Sequence, residues 1–218
     1  MKKLFIPLFC FLFLTACNQN HEKFDRFGGY TGLTAEKTGW FHVDEIDGRW
    51  FFITPEGNAF FSLGVTHTEE VLKRDELNLL ENKYDNDVSA LSNYFLEVMK
   101  DLGYNSGGYG TLSEIEKEIP YVVEIWTVGP RSFSAGNNSV NEDIFDPAVQ
   151  AKLRQIVKTR AEEHKDDPLC LGYVFIDLPV WRTVLRRGIS YVDFVRSLPP
   201  DAPGKLEYIK FLKAKYPD

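Results

Sequence analysis

The sequence predicts an α/β protein in which a parallel sheet of about four strand–helix units is covered by helices and preceded by a β-hairpin. Three observations predict it. Short apolar runs such as "AFFSLGV", "YVVEIWTV" and "LCLGYVFID" have the length and the β-branched or aromatic content of strands buried on both faces. Stretches of helical periodicity separate them. No G-x-G-x-x-G follows the first run, and the glycine-rich "NSGGYG" has neither that spacing nor a P-loop lysine, which counts against a dinucleotide fold. Two architectures satisfy the pattern: an open doubly wound sheet, or part of a (β/α)8 barrel.

The first 17 residues, "MKKLFIPLFCFLFLTAC", stand apart. Lys2 and Lys3 precede an apolar run from Leu4 to Leu14, which is too short for a permanent spanning helix and has the layout of a secretory signal. Leu14-Thr15-Ala16-Cys17 resembles the bacterial lipobox, in which the cysteine is acylated and becomes the mature N-terminus. No acidic residue follows Cys17, and that resemblance then implies the outer membrane rather than the inner one. Residues 18–37 are polar and glycine-containing and read as a tether; residues 38–218 form the domain.

Within the domain, Asp47-Gly48 marks a type I′ hairpin, and Pro55-Glu56-Gly57-Asn58 marks a second turn. Ala59 to Val65 reads as the first strand of the sheet, and Glu69 to Leu102 as helix interrupted near "KYDND". "GYNSGGYG" is a short second strand ending in a glycine loop. Thr111 and Glu114 form a capping box for a short helix. The third strand starts at Tyr121. Asp146 caps a helix with Pro147 at its first position, running to about His164. "LCLGYVFID" is the fourth strand, and the remainder is helical, broken by Pro199, Pro200 and Pro203.

Hydrophobic residues at 44% and charged residues at 26% are ordinary globular values. Aromatic residues reach 14%, which suits a phenylalanine-rich core or stacking on sugar rings. The formal charge is −7 and becomes more acidic once Lys2 and Lys3 leave with the signal, so nucleic acid and anionic lipid surfaces are poor partners. Cys10 and Cys17 lie in the signal. Cys170 then stands alone in an apolar run, which excludes a disulfide framework and reads as a buried inert thiol. His21, His42 and His164 lack metal-site spacing, and neither metal nor cofactor is expected.

"DGRWFFITPEGNAFFSLGV", "GYNSGGYG", "FDPAV" and "DPLCLGYVFID", in that order and spacing, resemble the agarase-like branch of (β/α)8 glycoside hydrolases over about residues 38–215. That resemblance selects the barrel, and only its N-terminal half, since a complete one takes about 250 residues. It implies action on a β-linked galactan or similar polysaccharide by two carboxylates, an acid/base after strand four, usually as Asn-Glu, and a nucleophile after strand seven. Here strand four ends "IDLPVW", with Asp177 and no Asn-Glu, and strand seven is absent. Retention requires the two carboxyl groups about 5–5.5 Å apart. The expectation is therefore a truncated, weakly active or inactive hydrolase on a lipid anchor. The alternative is a non-catalytic glycan-binding lipoprotein of a polysaccharide-uptake system. A half barrel leaves two sheet edges open, which predicts self-association or pairing with a missing C-terminal half.

Alternation groups Tyr173, Phe175 and Asp177 on one face of strand four, placed toward the barrel interior because the aliphatic face suits helices. Asp177 then emerges at the rim as general acid or as acceptor for sugar hydroxyls; the competing reading bonds it to backbone amides ahead of Pro179. Trp126 and Trp181 are candidates for stacking on sugar faces, although Trp181 would equally serve as a lid. Tyr173 joins the binding candidates. His67 and Asn105 could bond a sugar, or be a solvated loop residue and a turn-former respectively. Glu124 reads as one half of a buried ion pair. Arg182, Arg186 and Arg187 read as a solvated helix face, with an acidic or sulfated glycan as the competing reading. The lipobox has a direct test. The chain should fractionate with membranes and incorporate labelled palmitate when expressed in a Gram-negative host, and Cys17→Ser should abolish the label.

Overall fold

The computed structural model describes residues 23–72, 79–126, 142–175 and 191–217; Cys17, Asp177, Trp181, Arg182, Arg186 and Arg187 lie outside them. Two four-stranded sheets organise the chain, an antiparallel one in the order β1-β4-β3-β2 and a parallel one in the order β5-β6-β7-β8.

The antiparallel sheet grows from its turns. Asp47 and Gly48 both have positive φ, 51° and 76°, as a type I′ turn requires, and they join β2 (His42–Ile46) to β3 (Arg49–Ile53) with Ile46 opposite Arg49. Thr54 N–H donates to the Asn58 carbonyl at 2.9 Å, and Gly57 at φ 88° turns the chain into β4 (Asn58–Phe60). On the far side of β4 lies β1 (Tyr30–Thr34). Asp25 fastens this edge: Oδ1 accepts from the backbone N–H groups of Phe27 and Gly29 at 2.9 and 2.7 Å. Its Oδ2 accepts from Thr54 Oγ1 at 2.6 Å and Asn58 Nδ2 at 2.7 Å.

Two expectations change here. The tether assigned to 18–37 contains a sheet strand, because Asp25 supplies the acceptors that a polar, glycine-rich segment needs to fold back. Ala59–Val65 is not one strand either. Ala59 and Phe60 belong to the antiparallel sheet, whereas β5 (Gly64–Val65) opens the parallel one.

In the parallel sheet β5 is followed in order by β6 (Ser106–Gly107), β7 (Tyr121–Ile125) and β8 (Cys170–Phe175). The first two strands are short, and bonds beyond their ends extend them. Gly108 N–H donates to Val65 O at 2.8 Å, His67 N–H to Tyr109 O at 2.6 Å and Glu69 N–H to Gly110 O at 2.9 Å. Small residues permit the approach; a Cβ on Gly64 would lie 3.1 Å from Ser106 Oγ, and one on Gly108 2.7 Å from Thr66 Cγ2.

A 3-10 turn (Thr68–Leu72), α1 (Leu79–Tyr84) and α2 (Val88–Asp101) lie between β5 and β6. Asp87 caps α2, its side chain accepting from Ala90 N–H at 3.0 Å. The short α3 (Ser113–Glu116) precedes β7, and α4 (Pro147–His164) lies between β7 and β8. Asp146 caps α4 through Ala148 N–H at 2.7 Å, with Pro147 in the first turn. The capping box at α3 does not form: Leu112 holds the cap position, the Thr111 hydroxyl donates to Gly108 O at 2.7 Å, and Glu114 accepts from Ser113. The helix starts one residue later than the box requires, which leaves Thr111 outside the cap position. Helices α5 (Tyr191–Ser197) and α6 (Pro203–Lys215) follow β8.

Buried Leu91, Met99, Leu112, Ile115, Val123 and Ile125 make the core beside the parallel sheet. Tyr121 is buried too, and its hydroxyl donates to Asp167 Oδ2 at 2.7 Å and meets His164 Nδ1 at 2.9 Å, tying β7 to the end of α4. Register then decides the faces. Val123 pairs with Tyr173 and Ile125 with Phe175, so these four side chains share a face, while Glu124 pairs with Val174 on the other. The Tyr173 hydroxyl donates to the carbonyl of Ala161 in α4 at 3.3 Å, which puts this face toward the helix. Tyr173 and Phe175 are thus opposite to the side expected of them: pairing with buried Val123 and Ile125 outweighs the preference of aliphatic residues for a helix-covered face. The fold is a mixed α/β arrangement of an antiparallel and a parallel sheet.

Replacing Asp25 by alanine strands four donors beside β4. The expected cost is at least about 2 kcal/mol, read as a lower denaturation midpoint with an unchanged urea m-value.

Candidate functional site at the carboxyl ends of β5–β7

The loops leaving β5, β6 and β7 bring His67, Tyr109, Glu124 and Trp126 together. His67 sits at φ 61°, left-handed for a residue with a Cβ, fixed by its backbone bond to Tyr109 O. Its Nδ1 lies 3.1 Å from Glu70 Oε1. The His67 ring meets the Tyr109 ring edge-on at 4.9 Å, and Tyr109 is 6.3 Å from Trp126 with the planes 34° apart. The three rings form one row across three strand ends.

Glu124 stands under this row. Its Oε1 accepts from Gly110 N–H, and its Oε2 accepts from the Trp126 indole Nε1–H at 2.8 Å. Arg160 reaches the same residue through the backbone, donating Nε–H to the Glu124 carbonyl at 3.1 Å, while its Nη1 pairs with Glu163 at 2.9 Å. Among the described residues Glu124 makes no ion pair of the kind expected; two N–H donors satisfy the half-buried carboxylate instead. Gly110 has φ 69°, and a Cβ there would come within 3.2 Å of His67 Cα, so the turn requires glycine.

A cavity of about 360 Å³ opens beside the row, lined among others by Glu69, Thr111, Glu116, Glu124, Trp126 and Arg160. A second cavity of about 320 Å³ separates Trp126 from α4, so the indole forms a wall of both. The lining is acidic. Burial pushes the Glu116 carboxyl above its ordinary value; Arg160 opposes this, and Glu124, Asp167 and Glu69 add to it. Glu114 is held low, first by the Ser113 hydroxyl. Among the described residues no group of three or more His, Cys, Asp or Glu is arranged to hold a metal ion. Burial raises the Cys170 thiol, against the Gly172 carbonyl 3.9 Å from its sulfur.

Of the residues singled out in the sequence, His67 and Trp126 lie in this row. Asn105 does not. It precedes β6 at the amino end, where Oδ1 accepts from Leu63 N–H at 2.8 Å and Nδ2 donates to Phe61 O at 2.9 Å. Both ends of its amide are committed to shaping the backbone. Tyr173 faces α4, as described above, and Asp177 and Trp181 follow β8 outside the described residues. Tyr109 escaped notice in the sequence, although an aromatic residue between Gly108 and Gly110, just past a strand, marks a side chain lifted onto a strand end.

No protein-family model matches the chain, and no curated protein matches it. Solved structures do. The agarase AgWH50C is 19% identical with a TM-score of 0.62 over 86% of this chain and 37% of its own. An exo-β-agarase is 16% identical with a TM-score of 0.66, over 89% and 39%. PfGH50B is 19% identical with a TM-score of 0.66, over 90% and 38%. The chain thus has an agarase-like fold and spans less than half the length of each of these structures.

Because folding raises the Glu116 carboxyl above 4.5, ionising it opposes folding, and the stability it contributes below that value is lost as pH rises through the raised one. Glu116→Gln is expected to raise the thermal midpoint at about pH 7–8 by a few degrees and to give no gain at about pH 4, as thermal scans at the two pH values would show.

Proposed function

We propose that this chain is a lipid-anchored, extracytoplasmic relative of agarase-like glycoside hydrolases that engages a β-galactan-type polysaccharide at the carboxyl ends of its parallel strands. One observation carries the reading: a fold shared with agarases over 86–90% of the chain. The row of His67, Tyr109 and Trp126 supports it, since the apolar C–H faces of a pyranose stack on aromatic rings while carboxylates accept from its hydroxyls. On this reading the four parallel strands are one half of a (β/α)8 barrel, whose sites lie at that end of the strands. By the sequence resemblance, Asp177, which follows β8 in the chain, is the candidate for the acid/base role.

A second reading, glycan capture without cleavage, is favoured by Glu124. Retaining hydrolysis needs one protonated and one ionised carboxyl group facing each other across the glycosidic bond. Glu124 holds Gly110 N–H with one oxygen and the Trp126 indole with the other, which is the use of a carboxylate that shapes a binding surface. On this second reading the row captures a glycan, and cleavage would need a pair of carboxylates other than Glu124.

Calorimetry with agarose oligosaccharides, followed by product analysis of the same mixtures, tests both. Binding that weakens about tenfold in Trp126→Ala is expected, at the order of loss of one stacked ring in a desolvated site. Release of shorter oligosaccharides selects the hydrolase reading, and binding without release selects capture. No binding to any galactan oligosaccharide overturns the proposal.

A further inference from the structure

Trp126 is the first residue past β7 and is 40% exposed, so its indole has rotamer freedom to lose on binding unless something already holds it. Glu124 holds it. The two residues lie on one side of the strand, and the carboxylate reaches forward to the indole N–H at 2.8 Å. Its other oxygen accepts from Gly110 N–H, at the turn that carries Tyr109. Tyr109 and Trp126 come from different strand–helix units, yet their rings lie 6.3 Å apart with planes only 34° from parallel. One carboxylate is thus bonded at the base of both.

We propose that Glu124 is a positioning residue: its two oxygens hold the Trp126 indole and the Gly110 turn so that Tyr109 and Trp126 present one continuous stacking shelf to a pyranose chain. The identity of the ligand rests on the proposed function; the positioning role does not. The side-chain chemistry is specific. An ionised carboxylate has two acceptor oxygens and no donor, which matches two converging N–H groups. Glutamine keeps the length but sets an NH2 against one of the two donors. Aspartate keeps the charge but is a methylene short of spanning them. A shelf assembled before the ligand arrives avoids the ordering cost at binding, the general benefit of preorganisation.

The test uses the full-length protein and an agarose-derived hexasaccharide. Hydrogen exchange of the Trp126 indole N–H, assigned as the resonance lost in Trp126→Phe, reads the positioning directly. In Glu124→Gln that exchange should accelerate at least tenfold and the hexasaccharide dissociation constant should rise about tenfold, the scale of one lost hydrogen bond to a charged acceptor. The far-ultraviolet circular dichroism should stay unchanged. In a Trp126→Phe background, Glu124→Gln should cost clearly less than its tenfold in the wild type, leaving only its hold on the Gly110 turn, because residues acting through one another are non-additive. Unaltered indole exchange in Glu124→Gln, or fully additive losses in the cycle, overturns the inference, the latter by showing that Glu124 meets the ligand itself. If Glu124→Gln fails to fold, Trp126→Phe decides alone: it keeps a ring but removes the donor, and an unchanged dissociation constant overturns the inference. If wild-type protein binds no hexasaccharide, the proposed function falls, and the exchange measurement still decides the role of Glu124.

Discussion

A half-buried carboxylate between two backbone-to-helix turns must find donors, and Glu124 finds them on both sides: the amide of Gly110 after β6 and the indole of Trp126 after β7. Two neighbouring units are locked together where their side chains diverge toward solvent. The lock needs the strands beneath it in register. Gly107 N–H donates to Pro120 O at 2.8 Å and Gly108 N–H to Val65 O at 2.8 Å, continuing the ladder through strands only two residues long. It also needs glycine at 110, since φ 69° strains any side chain there and a Cβ would crowd His67 Cα at 3.2 Å. The position of the site thus comes from one arrangement, in which short strands, a left-handed turn and a single acceptor group determine where the rings stand.

Much of the fold was legible because local chemistry and tertiary context agree. Asp47-Gly48 has the positive φ values its turn demands, and Asp146-Pro147 starts α4 with the expected cap. The β-branched run at Tyr121 is the strand it promises. What was missed depends on partners distant in sequence. β1 exists because Asp25 bonds to Thr54 and Asn58, 29 and 33 residues away, which no reading of the segment's own composition could reveal. The capping box at Thr111 failed because the helix begins one residue later, with Leu112 at the cap. In β8, period-two alternation sorted the side chains into two sets but could not say which set faces α4. The register irregularity between Tyr121 and Val122 and the pairing of Val123 with Tyr173 decide that. The site was half legible: Trp126 is at the strand end where it was sought, whereas Tyr109 and the true partners of Glu124 become visible only when three loops are superposed in space.

The agarase-like fold sets a context for the exposed apolar surface. Val43, Trp50 and Phe52 share one face of the antiparallel sheet, with Trp50 70% exposed, and Phe175 at the end of β8 is 64% exposed. Patches of this kind mark surfaces that are covered or occupied in function. The hairpin patch matters for another reason: under the proposed function, Trp50 and Phe52 on one face of the sheet are a second aromatic surface, separate in sequence from the row at the strand ends. The two differ in polarity. The hairpin face offers Glu45 beside the aromatic residues, whereas the strand-end row has fixed carboxylates, a bound indole and an adjoining cavity. Ligand sites favour concave surfaces with a few fixed polar groups, and that favours the strand ends.

Chemical-shift mapping of the full-length protein titrated with an agarose oligosaccharide tests this account most directly, because it discriminates between the two aromatic surfaces in one experiment. Perturbations concentrated on the Trp126 indole and the Tyr109 and His67 rings, with Trp50 and Phe52 unmoved, are the predicted result. Perturbations centred on Val43, Trp50 and Phe52, or none at saturating oligosaccharide, would contradict it.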